Sequence, residues 1–179
     1  MPDKYVGKEG RRYLEMMADQ IDAVLCGIEA IMQSPRLPAA AVECAQATQL
    51  MARRMKEVIW AGIYYNRFLE AREDGITDAE LLRRLAEKAI FHAEEDYRLI
   101  KENYFDSGDH TWTGVAIGEY YIPQVINEYK NVFHPVVGAG FEPDPAVSRI
   151  VGGESLPWEW LLEWGPRIAK AKPTAAIRK

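Results

Sequence analysis

Three residues near the middle of the chain have the types and spacing from which a polar site could be built. His92, Glu95 and Asp96 fall within a single helical turn of one another. On a helix, residues four apart share a face, so His92 and Asp96 would be neighbours. Helical bundles build carboxylate–histidine metal sites from such inward-facing residues. The same residues also suit a structural role, in which His92 forms a hydrogen bond with Asp96 or with a tyrosine.

The residues that would complete this site lie in the preceding segment. Arg54, Tyr64 and Tyr65 are the expected partners of a buried polar pair, because buried polar groups need hydrogen bonds. A ligand pocket would be lined by His92, Asp96, Glu95, Arg54 and Tyr65. The Glu-x-x-His pattern of diiron bundles does not occur, since Ala89 stands three residues before His92. We therefore predict no metal and no cofactor, and keep the pocket as the alternative to a structural pair.

Three long segments have the periodicity of the helices that would position these residues. Apolar side chains recur at steps of three and four over about residues 11–33, 38–73 and 77–104, which places them on one face of each helix. The first series is Leu14, Met17, Ile21, Val24, Ile28 and Ile31. The second alternates steps of four and three, as in a bundle or coiled coil. Its members are Cys44, Thr48, Met51, Met55, Val58, Gly62, Tyr65 and Leu69.

Local signals set the expected ends of these helices. Pro38 suits the first turn of the second helix. The run Thr77-Asp78-Ala79-Glu80 predicts a capping box in which Thr77 caps the third helix. A fourth helix over about 114–133 is expected to be kinked at Pro123. Short connections make neighbouring helices antiparallel. The predicted fold is an all-α antiparallel helical bundle over residues 1–134, followed by an irregular C-terminal arm over 135–179.

The predicted arm carries a short helix rich in tryptophan. Trp158, Trp160, Leu161 and Trp164 would bring a large apolar area, and tryptophan is a favoured anchor of protein interfaces. We expect this segment to hold the chain to a partner, foremost a second copy. Alternatively, it folds back over the second helix and covers Trp60 and Tyr64.

Composition excludes several classes of function. The net charge of −5 does not favour binding to nucleic acid. Apolar runs are too short to cross a membrane. Cys26 and Cys44 lie in apolar helical segments, where free thiols behave as small hydrophobic groups, and we expect a cytoplasmic protein. The sequence has no phosphate-binding glycine loop and no nucleophile motif.

Two functions remain from the sequence. The first is a non-catalytic helical subunit or accessory domain that acts through protein association, as a homo-oligomer or within a larger assembly. The second is a small-molecule-binding protein or enzyme with its pocket near His92 and Asp96, either in a carbohydrate-related helical domain or at a carboxylate–histidine metal site. The long helices, the tyrosine-rich second helix and the late tryptophans resemble helical domains appended to large glycoside hydrolases. That resemblance would imply a carbohydrate-related role for such a pocket, without any catalytic motif.

Overall fold

The described part of the protein consists of helices and their connections. The computed structural model describes residues 7–105 and 121–147. It contains α1 (Gly7–Met32), α2 (Ala39–Glu73), α3 (Ala79–Ile100), a π-helical turn (Lys101–Phe105) and α4 (Ile122–Val137). The predicted all-α helical bundle is thus confirmed. The chain divides into two compact units, residues 1–96 and 97–179. The tryptophan-rich part of the predicted arm lies outside the described residues, and the division after residue 134 stays a prediction.

Helices α1 and α2 form an antiparallel hairpin, as the short connection predicted. Its core contains Leu14 and Ala18 of α1 packed with Ile59 and Ile63 of α2. Fully burying an aliphatic side chain of this kind contributes about 1.5–3 kcal/mol. A buried asparagine also joins the two helices: the backbone N–H of Gly7, the first residue of α1, donates to Asn66 Oδ1 at 2.8 Å.

Asn66 therefore supplies from α2 the acceptor that the start of α1 needs. The first amides of a helix have no partner inside the helix. Asn66 is fully buried, and its Nδ2 donates to the carbonyl of Gly62 at 2.9 Å. Both the oxygen and the nitrogen of the Asn66 amide are thus hydrogen-bonded, and the cap also fixes the register of α1 against α2.

An ion-pair network reinforces the same part of the hairpin. Arg11 Nε donates to Glu70 at 2.9 Å and its Nη1 to Glu15 at 2.8 Å, while Arg67 donates to Glu15 at 3.0 Å. The hydrogen bond to Glu70, followed by the one to Glu15, raises the pKa of Arg11. Desolvation alone would raise the pKa of Glu15, but the hydrogen bonds from Arg11 and Arg67 outweigh it and lower that pKa.

Helix α3 runs antiparallel to α2 and starts one residue later than the predicted capping box implies. Asp78, not Thr77, is the cap: its Oδ1 accepts from the backbone N–H groups of Glu80 at 3.0 Å and Leu81 at 3.1 Å. A short carboxylate reaches these amides as well as a threonine would, and it adds a negative charge at the positive end of the helix. The prediction of a helix start here was right, but the choice of capping residue was wrong.

The second unit contains α4 and the loop that follows it. Pro123 lies in the first turn of α4, where its missing N–H costs little; the residues before 121, where the predicted kink would begin, lie outside the described part. The side chain of Asn127 donates to the carbonyl of Asp144 and accepts from its N–H, at 3.1 and 2.6 Å. Phe141 packs edge-on against Phe133. These contacts hold the loop against the helix.

Candidate functional site

The predicted polar site contains one buried ion pair. Arg54 of α2 and Asp96 of α3 meet through two hydrogen bonds, from Nε to Oδ1 at 2.8 Å and from Nη2 to Oδ2 at 3.4 Å. Their side chains are only 11% and 5% exposed. Burial raises the pKa of Asp96, and this effect outweighs the opposing influence of the Arg54 cation. Of the three partners expected for the polar residues, Arg54 is thus the one that pairs with Asp96.

His92 pairs with Glu57 of α2 and not with Asp96. Its Nδ1 lies 2.6 Å from Glu57 Oε2, and both side chains are about one fifth exposed. The imidazole stacks on the ring of Tyr64 with centroids 5.5 Å apart and planes 7° apart, and on Trp60 at 6.1 Å. Asp96 shares a face with His92, as predicted, but turns to Arg54 because a guanidinium can satisfy both carboxylate oxygens at once.

The other two predicted site residues, Glu95 and Tyr65, are half-buried. Neither belongs to the ion pair between Arg54 and Asp96 or to the stack on His92. Within residues 7–105 and 121–147, no group of three or more His, Cys, Asp and Glu side chains is arranged to hold a metal ion. Arg54 and Asp96 neutralise one another and thereby link α2 to α3. We call this ion pair the clamp.

The distal half of the α1–α2 hairpin is exposed and poor in charged residues. Residues 23–50 include both helix ends and their connection, and Ile28 is the only buried residue among them. This exposed stretch of 28 residues carries just three charged side chains, Glu29, Arg36 and Glu43, although charged residues make up 27% of the whole chain. Depletion of charge on an exposed surface is the compositional mark of a protein interface.

Exposed apolar side chains extend from this stretch toward the middle of the hairpin. The exposed fractions of Val24 and Ile31 on α1 are 45% and 54%, and those of Met51, Met55 and Val58 on α2 are 45%, 45% and 48%. Cys26 and Cys44 are also exposed. The sequence patterns predicted these side chains, other than Cys26, to lie on inward stripes. That prediction was wrong for this half of the hairpin, where α1 and α2 cover only one side of each other.

The exposed residues of the two helices lie on the same side of the hairpin. An α-helix turns by about 100° per residue, so the direction of each exposed series can be compared with the side on which its helix contacts the other. On both α1 and α2 the exposed series lies about 90° from that contact side, and because the helices are antiparallel both series point to the same side of the hairpin. We call these residues the hairpin face: Gln20, Val24, Gly27 and Ile31 of α1, with Cys44, Thr48, Met51, Met55 and Val58 of α2. None is charged. The ion pair between Lys56 and Asp22, at 2.7 Å, lies on the opposite side, as do Cys26 and Glu29.

The sequence carried a signal for this surface that periodicity alone did not reveal. The same steps of three and four describe a buried stripe and an exposed one, whereas the low number of charges across residues 23–50 distinguishes this stretch from the rest of the chain. The interface residues predicted from sequence, Trp158, Trp160, Leu161 and Trp164, lie outside the described residues.

None of the helices in the described part of the chain is both long and apolar enough to cross a membrane. Comparisons with models of known protein families, with curated proteins and with solved structures find no match.

Proposed function

We propose that this protein is a non-catalytic helical subunit that works by binding another protein chain through the hairpin face. The observation that supports the proposal is a nine-residue, uncharged surface on which every residue is exposed. Leaving such side chains in water forgoes about 25 cal/mol per Å² of apolar area, which a partner would recover. Two exposed methionines add a surface that adapts to the shape of its partner.

The polar site between α2 and α3 has a supporting role in this proposal. Arg54 and Asp96 occupy one another, and His92 is held by Glu57 and two aromatic rings. The clamp links α3 to α2. The exposed thiols Cys26 and Cys44 suit a reducing compartment, so we place the function in the cytoplasm.

Photo-crosslinking in the native cell tests the proposal. A photoreactive benzoylphenylalanine replaces Met55, in the α2 part of the face, or Cys26, on the opposite side of the same hairpin. Both positions are exposed, so both variants should fold. We expect a discrete crosslinked protein band from position 55 and none from position 26. Equal crosslinking from the two positions, or none from either, would refute association through this face.

A further inference from the structure

The α2 part of the hairpin face is the exposed continuation of a buried helix seam. Cys44, Thr48, Met51, Met55 and Val58 alternate steps of four and three, and Gly62 continues the series as a buried residue. This spacing is that of helices packed at a shallow crossing angle, with each side chain inserted between those of a facing helix. The occupant that such a seam requires is therefore helical.

The face is two helices wide, so a second pair of helices would cover its whole width. Gln20, Val24, Gly27 and Ile31 repeat the steps of four and three on α1, beside the series on α2. A cross-section of two helices packed on two helices is a four-helix bundle, in which each pair covers the apolar side of the other. A second hairpin with the same periodicity supplies this arrangement.

Because this surface carries no charge, the surfaces of two copies can meet without electrostatic repulsion. In a two-fold symmetric interface the same patch is used by both copies, so any charge near the axis meets its own equivalent. The nine residues of the face contain no Asp, Glu, Lys or Arg, although the chain has 49 such residues and a net charge of −5. Asp22, Lys56 and Glu29 lie on the side of the hairpin away from the face. The Arg54 guanidinium contacts Met51 at the edge of the face, where Asp96 neutralises its charge.

The dimensions of the face suit a weak dimer. At about 1.5 Å per residue, it runs about 17 Å along α1 and about 21 Å along α2, and two helix diameters make it about 20 Å wide. The projected area is thus about 400 Å² per copy and about 800 Å² for the pair, which is below the roughly 1,000 Å² of a stable interface and in the range of weak, transient contacts. Weak association is therefore expected.

We propose that the partner at the hairpin face is a second copy of this chain, whose own hairpin face completes an intermolecular four-helix bundle. This inference rests on the proposed function. The two copies pack α1 and α2 of one against α1 and α2 of the other. The methionines Met51 and Met55 lie near the middle of the joint seam, where flexible side chains accommodate small differences in register.

Sedimentation equilibrium of the full chain tests this proposal. The concentrations run from about one to about a hundred micromolar, a range in which a weak dimer would form. The intact chain should approach twice its 20.4 kDa mass at the upper concentrations. Val24→Lys and Met55→Lys each place a cation on the face, and each should weaken dimerisation at least tenfold. Cys26→Lys adds the same charge to the opposite side of α1 and should leave it unchanged. Circular dichroism confirms that each variant keeps its helices.

Three results would overturn the second copy. First, the intact chain could stay monomeric at every concentration. Second, it could form a dimer that all three lysine variants leave intact, which would assign the contact to another segment such as the one around Trp160. Third, it could stay monomeric yet float with phosphatidylcholine–phosphatidylserine vesicles, which would make the face a lipid-binding surface. If the chain is monomeric while position 55 still crosslinks to a different protein in the cell, the second copy is wrong and the proposed function stands. If position 55 crosslinks to nothing, the proposed function itself fails.

Discussion

Removing Arg54 should destabilise the protein far more than removing an exposed charge of the same kind. Arg54→Met keeps the apolar stem but leaves the Asp96 carboxylate, which is 5% exposed, without its cation. At an effective dielectric constant near 20, charges about 4 Å apart attract by about 4 kcal/mol, and breaking a buried pair typically costs about 3–5 kcal/mol. A domain has about 5–15 kcal/mol of total stability, so the protein should remain folded but much weakened.

The assay is urea unfolding followed by circular dichroism at neutral pH. Lys56→Met, which breaks the more exposed pair with Asp22, is the matched control and should cost about 1 kcal/mol or less. Arg54→Met combined with Asp96→Leu should recover most of the loss, because it removes both buried charges. An Arg54→Met cost as small as that of the control would refute the reasoning that this pair is desolvated and structural.

The loss of stability in the Arg54→Met variant should depend on pH in a definite direction. Burial raises the pKa of Asp96, so the folded protein binds this proton more tightly than the unfolded chain does. The penalty for an ionised Asp96 is therefore absent below the ordinary pKa of an aspartate, and it grows as the pH rises through the raised pKa. Without Arg54, the deficit in stability should shrink as the pH falls through the raised value. A deficit that stays constant or grows in acid would contradict this sign.

Three further substitutions test the contacts that fix the hairpin and the α4 loop. Asn66→Leu should cost about 1–3 kcal/mol, because it removes the buried acceptor for the partly buried N–H of Gly7, and hydrogen exchange should accelerate first at the start of α1. Unchanged protection there would show that the cap is unimportant. Glu15→Gln should be less stable than the natural protein at neutral pH, and the difference should vanish as the pH falls through the lowered pKa of Glu15. A difference that persists in acid would assign the loss to packing. Asn127→Ala should release the loop at Asp144, giving faster local proteolysis with α4 intact; an unaltered cleavage rate would contradict the role of this side chain.

The helices were predictable because their signals are local. Steps of three and four in the apolar residues, Pro38 before α2 and the polar run before α3 each act within one or two turns, and the structure has helices over Gly7–Met32, Ala39–Glu73 and Ala79–Ile100. The exact cap was less predictable, because Thr77 and Asp78 offer nearly equivalent oxygens and the choice depends on the backbone entering the helix.

The partners of the polar residues depended on tertiary structure and were only partly predictable. Helical spacing correctly placed His92 and Asp96 on one face, and the need to satisfy a buried carboxylate pointed to Arg54. Spacing could not show that Glu57 stands opposite His92, because that depends on the register of α3 against α2. The cap from Asn66 to Gly7 was missed for the same reason: its two residues are 59 positions apart in the sequence.

Whether an apolar stripe is buried could not be read from its period. Met55 and Gly62 belong to the same series on α2, yet Met55 is 45% exposed and Gly62 is buried. A helical period gives the direction in which a side chain points, and only the surrounding chain decides whether anything lies there. The scarcity of charge in residues 23–50 is the sequence feature that distinguishes this part of the hairpin from an ordinary solvated helix pair.

The most direct test of association through the hairpin face compares its two native thiols. Cys44 lies on the face and Cys26 on the opposite side of the same hairpin, and both are exposed in the isolated chain. Maleimide labelling is followed by peptide mass spectrometry, in gently opened native cells and in the purified chain diluted well below micromolar concentration. Association predicts that Cys44 is protected in the cells and labels freely on dilution, while Cys26 labels at the same rate in both. Equal labelling of Cys44 and Cys26 in the cells would contradict the account.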